Sequence, residues 1–175
     1  AGHPTIASTM ALIDDGQIKV TGTPTQISLE LPAGVVTVDI EQTNGPPLLT
    51  MTQLKPVFMQ THDPARIMPA FGLTPDDVLA GMPIQTVSTG TPQLMIPLKE
   101  GAALARARLD IERYIELKAQ SDFFSPHLFC LEGFTPAGRT SARHFGVPPD
   151  TADDPFTGSA TGGMAAYLWH HGLLE

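Results

Sequence analysis

Thr157-Gly158-Ser159-Ala160-Thr161-Gly162-Gly163-Met164-Ala165-Ala166-Tyr167-Leu168-Trp169-His170-His171-Gly172 opens as a polar glycine turn and continues as a small-residue apolar run. The pattern predicts a helix that starts at the turn and stops at Gly172, glycine being the ordinary residue just past a helix C-terminus. Free backbone N–H groups and the positive end of the helix dipole make such a start suited to an anion. An acidic run over 150–154 and Pro155 lie directly before it, so the chain delivers a carboxylate to the same turn.

The other end of the chain repeats the arrangement. Ala1-Gly2-His3-Pro4-Thr5 leads into Ile6-Ala7-Ser8-Thr9-Met10-Ala11-Leu12-Ile13 and stops at Gly16. The bounding glycines are fourteen apart in both copies, 2 to 16 and 158 to 172, and aligning Gly2 with Gly158 also pairs Thr5 with Thr161 and Leu12 with Leu168. Two unrelated glycine-bounded helices give the same spacing by chance. An internal duplication, with a reactive group at each helix start and His3 opposite Ser159, accounts for more of it.

Bulk composition narrows the classes. A hydrophobic share of 42% over 175 residues is enough for a buried core in one or two domains. A net charge of −8 with 10 Lys+Arg leaves no basic face for a nucleic-acid partner. No apolar run approaches the ~18 residues of a membrane span, and no signal peptide is recognisable. Cys130, the one cysteine, sits in an apolar run and reads as a buried thiol in a reducing, cytoplasmic compartment. Seventeen prolines favour short elements and tight connections.

In chain order, residues 17–20, 26–31 and 35–40 read as a meander of short strands, separated by Gly22-Thr23-Pro24 and Pro32-Ala33-Gly34. Thr43-Asn44-Gly45-Pro46-Pro47 is the strongest break, which divides the chain into 1–47 and 48–175. An extended stretch over 48–58 follows, and Asp63-Pro64 and Thr74-Pro75-Asp76-Asp77 are two helix-start signals, the first kept short by Pro69. Strands are expected at 84–88 and 94–98 around Thr89-Gly90-Thr91-Pro92, then helices at 102–108 and 111–120, the second burying Ile111, Tyr114, Ile115 and Lys118 on one face. Two more strands, 127–134 and 140–145, lead to the acidic run.

Ala1-Gly2-His3-Pro4-Thr5, Val87-Ser88-Thr89-Gly90-Thr91-Pro92, and Arg143-His144-Phe145 followed by Asp154-Pro155-Phe156-Thr157-Gly158-Ser159-Ala160 resemble the successive signatures of the phenazine-biosynthesis-like (PhzF-like) isomerases, within the diaminopimelate-epimerase fold superfamily. The resemblance runs the length of the chain, and its Asp-Pro-x-Thr-Gly-Ser-Ala segment is the specific part. It implies an α+β fold of two pseudo-symmetric lobes, each a curved, mostly antiparallel sheet wrapped around a central helix, with a cofactor-free site between the two helix starts. It further implies a proton shift on a small carboxylate-bearing substrate and a homodimer. His3 and Asp154 match the family's proton-handling side chains. Gly158 and Ser159 match its substrate-binding turn, and Gly2 its partner turn. In the diaminopimelate-epimerase branch a thiol precedes each helix-start glycine; here those positions are Ala1 and Thr157, which argues against two-thiol racemisation. The family's catalytic glutamate stands upstream of the Gly-His-Pro-Thr motif, so this chain reads as an interior portion of a longer protein that lacks both ends and the principal base.

Each residue also has a plainer role. His3 suits a helix cap or a packed ring, Asp154 a simple capping carboxylate, Ser159 a turn hydroxyl. Asp153 with Asp154 as an acid/base couple is a weaker possibility. His170 and His171 complement the dipole at a helix end, and His62, His127 and His144 lack ligand spacing with the acids, so no metal site is expected. A non-catalytic protein that grips a small anion or metabolite on the same fold is the alternative to the isomerase.

Overall fold

In a computed structural model, residues 2–31, 34–150 and 152–174 are described. Backbone contacts divide the chain into Ala1–Lys55 and Pro56–Glu175, each an α+β unit.

The first unit holds α1 (Gly2–Asp14), β1 (Thr25–Leu31), β2 (Gly34–Glu41) and β3 (Leu48–Met51). The three strands pair antiparallel in the order β1-β2-β3. Val36, Val38 and Ile40 are buried, consistent with the two-residue alternation of the central strand. Gly16 adopts φ 73° past the end of α1, and Gln17 and Ile18 donate their N–H groups to the carbonyl of Leu12 at 3.0 and 3.1 Å. Those bonds close the helix and use the donors a strand would need, so the strand expected at 17–20 does not form. Pro32 and Ala33 of the expected second turn lie outside the described residues. The break at 43–47 is a hairpin connection: the hydroxyl of Thr43 accepts from Gly45 N and donates to Pro46 O, and β3 then pairs with β2. The division of the chain therefore falls after Lys55 rather than after Pro47.

The second unit contains β4 (Val57–His62), α2 (Pro64–Ile67), β5 (Ile84–Ser88), β6 (Pro92–Pro97), α3 (Gly101–Arg106), α4 (Ile111–Ala119), β7 (Ser125–Cys130), β8 (Ser141–Phe145), β9 (Asp153–Asp154) and α5 (Gly158–His170). Local chemistry sets the short elements. Asp63 caps α2 by accepting from Ala65 N with Pro64 in the first turn, and Thr74 with Asp77 forms a capping box around the 3-10 turn Pro75–Asp77. All six strands form one sheet in sequence order. Only β6 and β7 among them run parallel, because α3 and α4 form the crossover such a pair requires.

Alternation along the strands divides the sheet's two faces. Leu94, Ile96, Leu128, Cys130 and Phe145 join one core with residues of α2, α3 and α4, which bears out the buried reading of Cys130. Val87, Met95 and Phe129 point the other way, into a second core with Met164, Tyr167 and Leu168 of α5. Each such buried side chain contributes roughly 1.5–3 kcal/mol. α5 packs closely here: a Cβ on Gly163 would stand 2.8 Å from the Met95 methyl, which would have to shift. The Tyr167 hydroxyl donates to Pro83 O at 2.6 Å. On α4 the buried pair is Tyr114 and Leu117, while Ile111 and Ile115 stay about half exposed; the face expected from the sequence is rotated because packing against the sheet, not apolarity alone, selects it. Among the described residues no helix is long and apolar enough to cross a membrane.

Candidate functional site

The two helices singled out from the sequence are both present and both span 13 residues. Gly172 follows α5 with φ 68°, as Gly16 follows α1 with φ 73°. Gly2 and His3 lie in the first turn of α1, with the His3 side chain exposed. Thr5 and Thr9 form the buried side of that helix, the Thr9 hydroxyl donating back to Thr5 O. Ala1, one of the two positions compared with a thiol, lies outside the described residues. Thr157, the other, is the N-cap of α5.

Asp154, Gly158 and Ser159 come together in the second unit. Asp154 accepts from Phe156 N at 3.2 Å and from the Thr157 hydroxyl, so its carboxylate is tied to the residues that enter the helix. Ser159 lies in the first turn of α5, and its Oγ is 3.5 Å from Gln93 Nε2. Gln93, 2% exposed, in turn accepts from the Ser125 hydroxyl at 2.6 Å. That buried chain of hydrogen bonds fixes the amide that faces Ser159.

Asp153 and Asp154 do not act as a couple. Successive strand residues face opposite sides, and Asp153 is held by Nε and Nη2 of Arg143, each at 2.8 Å. The Nη1 of the same guanidinium donates to the carbonyls of Leu104 and Ala107, and its plane lies over Phe145. Arg143 thus fastens β9 to β8 and to the end of α3, leaving Asp154 on the α5 side.

Sequence spacing did not reveal what stands beside Asp154. Strand register sets His127 opposite His144 and His144 opposite Asp154, a row across β7, β8 and β9. The two imidazoles are buried, with Nδ1 atoms 3.4 Å apart, and His127 Nε2 has no hydrogen-bond partner among the described residues. All three residues line a cavity of about 260 Å³ with Phe156, Thr157 and Thr161. Burial, reinforced by the neighbouring His144, pushes the His127 pKa down to about 3. Burial likewise lowers that of His144, against the pull of Asp154. Both rings are neutral at pH 7.

An acid-stability prediction follows. An imidazole held neutral in the fold but free to protonate near 6.5 when unfolded stabilises the protein above that pH. As pH falls below 6.5 the unfolded chain binds more protons and stability drops, down to the folded pKa. Denaturant titrations at pH 6 and pH 5 are expected to show a loss of about 1.4 kcal/mol per pH unit from His127, with His144 adding a loss in the same direction. His127→Phe should flatten the slope by about that amount; an unchanged slope would contradict the neutral pair.

The remaining histidines are structural. His170 stacks on Phe58, His171 contacts Gln85 Oε1 at 3.3 Å, and His62 lies 3.3 Å from Asp122. No group of three potential ligands converges for a metal ion among the described residues.

The model of the family described as phenazine biosynthesis-like protein matches residues 1–175. The chain belongs to that family. It is 33% identical to the uncharacterized isomerase YfhB of Bacillus subtilis, over 99% of this chain and 59% of that one. Identity to the trans-2,3-dihydro-3-hydroxyanthranilate isomerase of Pseudomonas chlororaphis is 27%, over 100% of this chain and 57% of the relative. The crystal structure of the Bacillus anthracis phenazine biosynthesis protein, PhzF family, superposes with a TM-score of 0.78 at 27% identity, covering 96% of this chain and 56% of that one. The PhzF-like chain thus spans a little over half the length of these relatives.

Proposed function

We propose that this chain forms part of a cofactor-independent isomerase or epimerase that moves a proton on a small carboxylate-bearing metabolite. The observation that carries the reading is the pair of equal-length helices, each opening on a glycine, the second with Asp154 fastened to its entry. Membership of the phenazine biosynthesis-like family and the isomerase names of its relatives support the reaction class.

In this reading the two units are pseudo-symmetric lobes, each opening its helix on a glycine. Backbone N–H groups at Gly158–Ser159 hold the carboxylate and stabilise the charge that develops when the adjacent C–H is lost, and Gly2 forms the matching turn of the first unit. The Ser159 hydroxyl, facing Gln93, adds a side-chain contact. Asp154 and His3 hand protons to and from the substrate. The principal base, by family likeness a glutamate, is supplied from outside these residues, and the active assembly is a homodimer.

The test is hydrogen exchange from deuterium oxide into a cyclic or amino-acid-like carboxylate, followed by NMR with the full-length protein and with a chelator present. Exchange at the carbon next to the carboxylate supports the isomerase. Binding of the same carboxylate with no exchange would replace it by a non-catalytic anion-binding protein.

A further inference from the structure

Gln93 carries a buried amide on β6 to which the proton shift assigns no role. It stands on the strand face that turns Met95 towards α5, and parallel pairing sets it beside Ser125 of β7. Its side chain joins two hydroxyls: that of Ser125 at 2.6 Å and that of Ser159, in the first turn of α5, at 3.5 Å. An amide fits between two hydroxyls either way round, and the choice decides what Ser159 has left to offer a ligand.

Ser125 makes the choice. It is 1% exposed, and the contact with Gln93 is the one hydrogen bond of its hydroxyl among the described residues. With the amide oxygen towards Ser125, the buried O–H has its acceptor. With the amide nitrogen there instead, Ser125 would receive a hydrogen bond and keep a proton with no acceptor, the kind of buried defect that costs stability. The length agrees, since 2.6 Å suits O–H···O and is short for N–H···O. Gln93 Nε2 is therefore the end that faces Ser159, whose hydroxyl accepts from it and retains its own proton. Other donors at this helix start are also left for a ligand: the N-cap Thr157 makes no side-chain bond to the helix, because its hydroxyl donates to Asp154.

We propose that Gln93 is a positioning residue for Ser159: anchored by Ser125, its amide occupies the acceptor side of the Ser159 hydroxyl and directs the hydroxyl proton to a carboxylate at the start of α5. The carboxylate half of the assignment rests on the isomerase reading; the orientation of the amide does not. Reversed, the amide would take the Ser159 proton for itself and leave the serine to turn a lone pair towards an anion. Held as it is, the amide makes Ser159 a donor that matches the backbone N–H groups beside it, and all of them suit a negatively charged group.

Nuclear Overhauser contacts of the Gln93 side-chain NH2, measured on the full-length protein at pH 7 without ligand, test the orientation. Stronger contacts to the β-protons of Ser159 than to those of Ser125 are expected, and the reverse overturns it. The consequence is read with benzoate as the probe, its dissociation constant taken from an NMR titration. Gln93→Met is expected to raise that constant about two- to tenfold, the worth of one neutral hydrogen bond. With Ser159→Ala already in place, the same substitution should change it by less than about twofold, because the two residues act as one unit. Equal rises in both backgrounds, no rise in either, or benzoate that leaves the Ser159 signal unmoved overturns the proposal. Should Gln93→Met fail to fold, Ser125→Ala takes its place in the cycle with the same expectations, since it releases the amide while keeping it. A full-length protein that exchanges no hydrogen but shows this coupling removes the isomerase reading and leaves the role of Gln93 standing.

Discussion

Replacing Asp154 with Asn is expected to slow exchange of solvent hydrogen into substrate by about 10²–10⁴-fold, the usual worth of a positioned acid or base. The substitution keeps the shape of the side chain and an oxygen to accept from Phe156 N, so the turn into α5 survives. It removes the ability to gain and lose a proton. Because Asp154 grips the helix entry rather than the core, stability should change by no more than about 1 kcal/mol, the scale of a cap. The comparison to make is kcat against the unfolding midpoint: a large fall in the first with little change in the second is the signature expected. Undiminished exchange would take Asp154 out of the mechanism and leave it as a turn carboxylate.

The second large effect is expected at Gly146, which is not a site residue. The chain leaves β8 there and returns to β9 through a tight loop in which Gly146 N donates to Ala152 O. A Cβ at that position would stand 2.2 Å from the carbonyl oxygen of Asp150. Backbone, unlike the end of a flexible side chain, cannot step aside cheaply, so Gly146→Ala must open the loop. The expected cost is roughly 2–3 kcal/mol of stability. The two-residue strand β9 also moves, and a displacement of about 1 Å at Asp154 is enough to lose on the order of 10²-fold in rate. Denaturant midpoints and exchange rates measured on one preparation check both. A variant equal to the parent in both would show that the loop has room the geometry denies.

Much of this was legible in the sequence. The two helices were readable from glycine spacing because a residue past a helix end adopts a positive φ, and both Gly16 and Gly172 do. Asp63-Pro64 and Thr74 to Asp77 announced their short helices through capping chemistry that is wholly local. Family likeness on the Asp-Pro-x-Thr-Gly-Ser-Ala segment gave the fold class, and the family model covers the same residues.

Most of what was missed depends on partners distant in the chain. The strand expected at 17–20 lost its donors to the end of α1. The face of α4 was misjudged because Leu117 and Tyr114, rather than Ile111 and Ile115, meet the core. Helices at 102–120 between two apolar strands were a usable sign of the parallel crossover between β6 and β7. His127 and His144 showed no ligand spacing with the acids, so nothing in the sequence joined them to Asp154. Only the pairing of β7 with β8, and of β8 with β9, aligns them with Asp154. The salt link of Arg143 to Asp153 was equally invisible, though strand alternation already implied that adjacent aspartates would part company.

The most direct measurement of the central claim is a crystal structure of the intact protein with a cyclic carboxylate bound. The account predicts the carboxylate within hydrogen-bond distance of backbone N–H groups at Gly158–Ser159, with Asp154 facing it. A carboxylate bound well only at some other place, away from the start of α5, would contradict it.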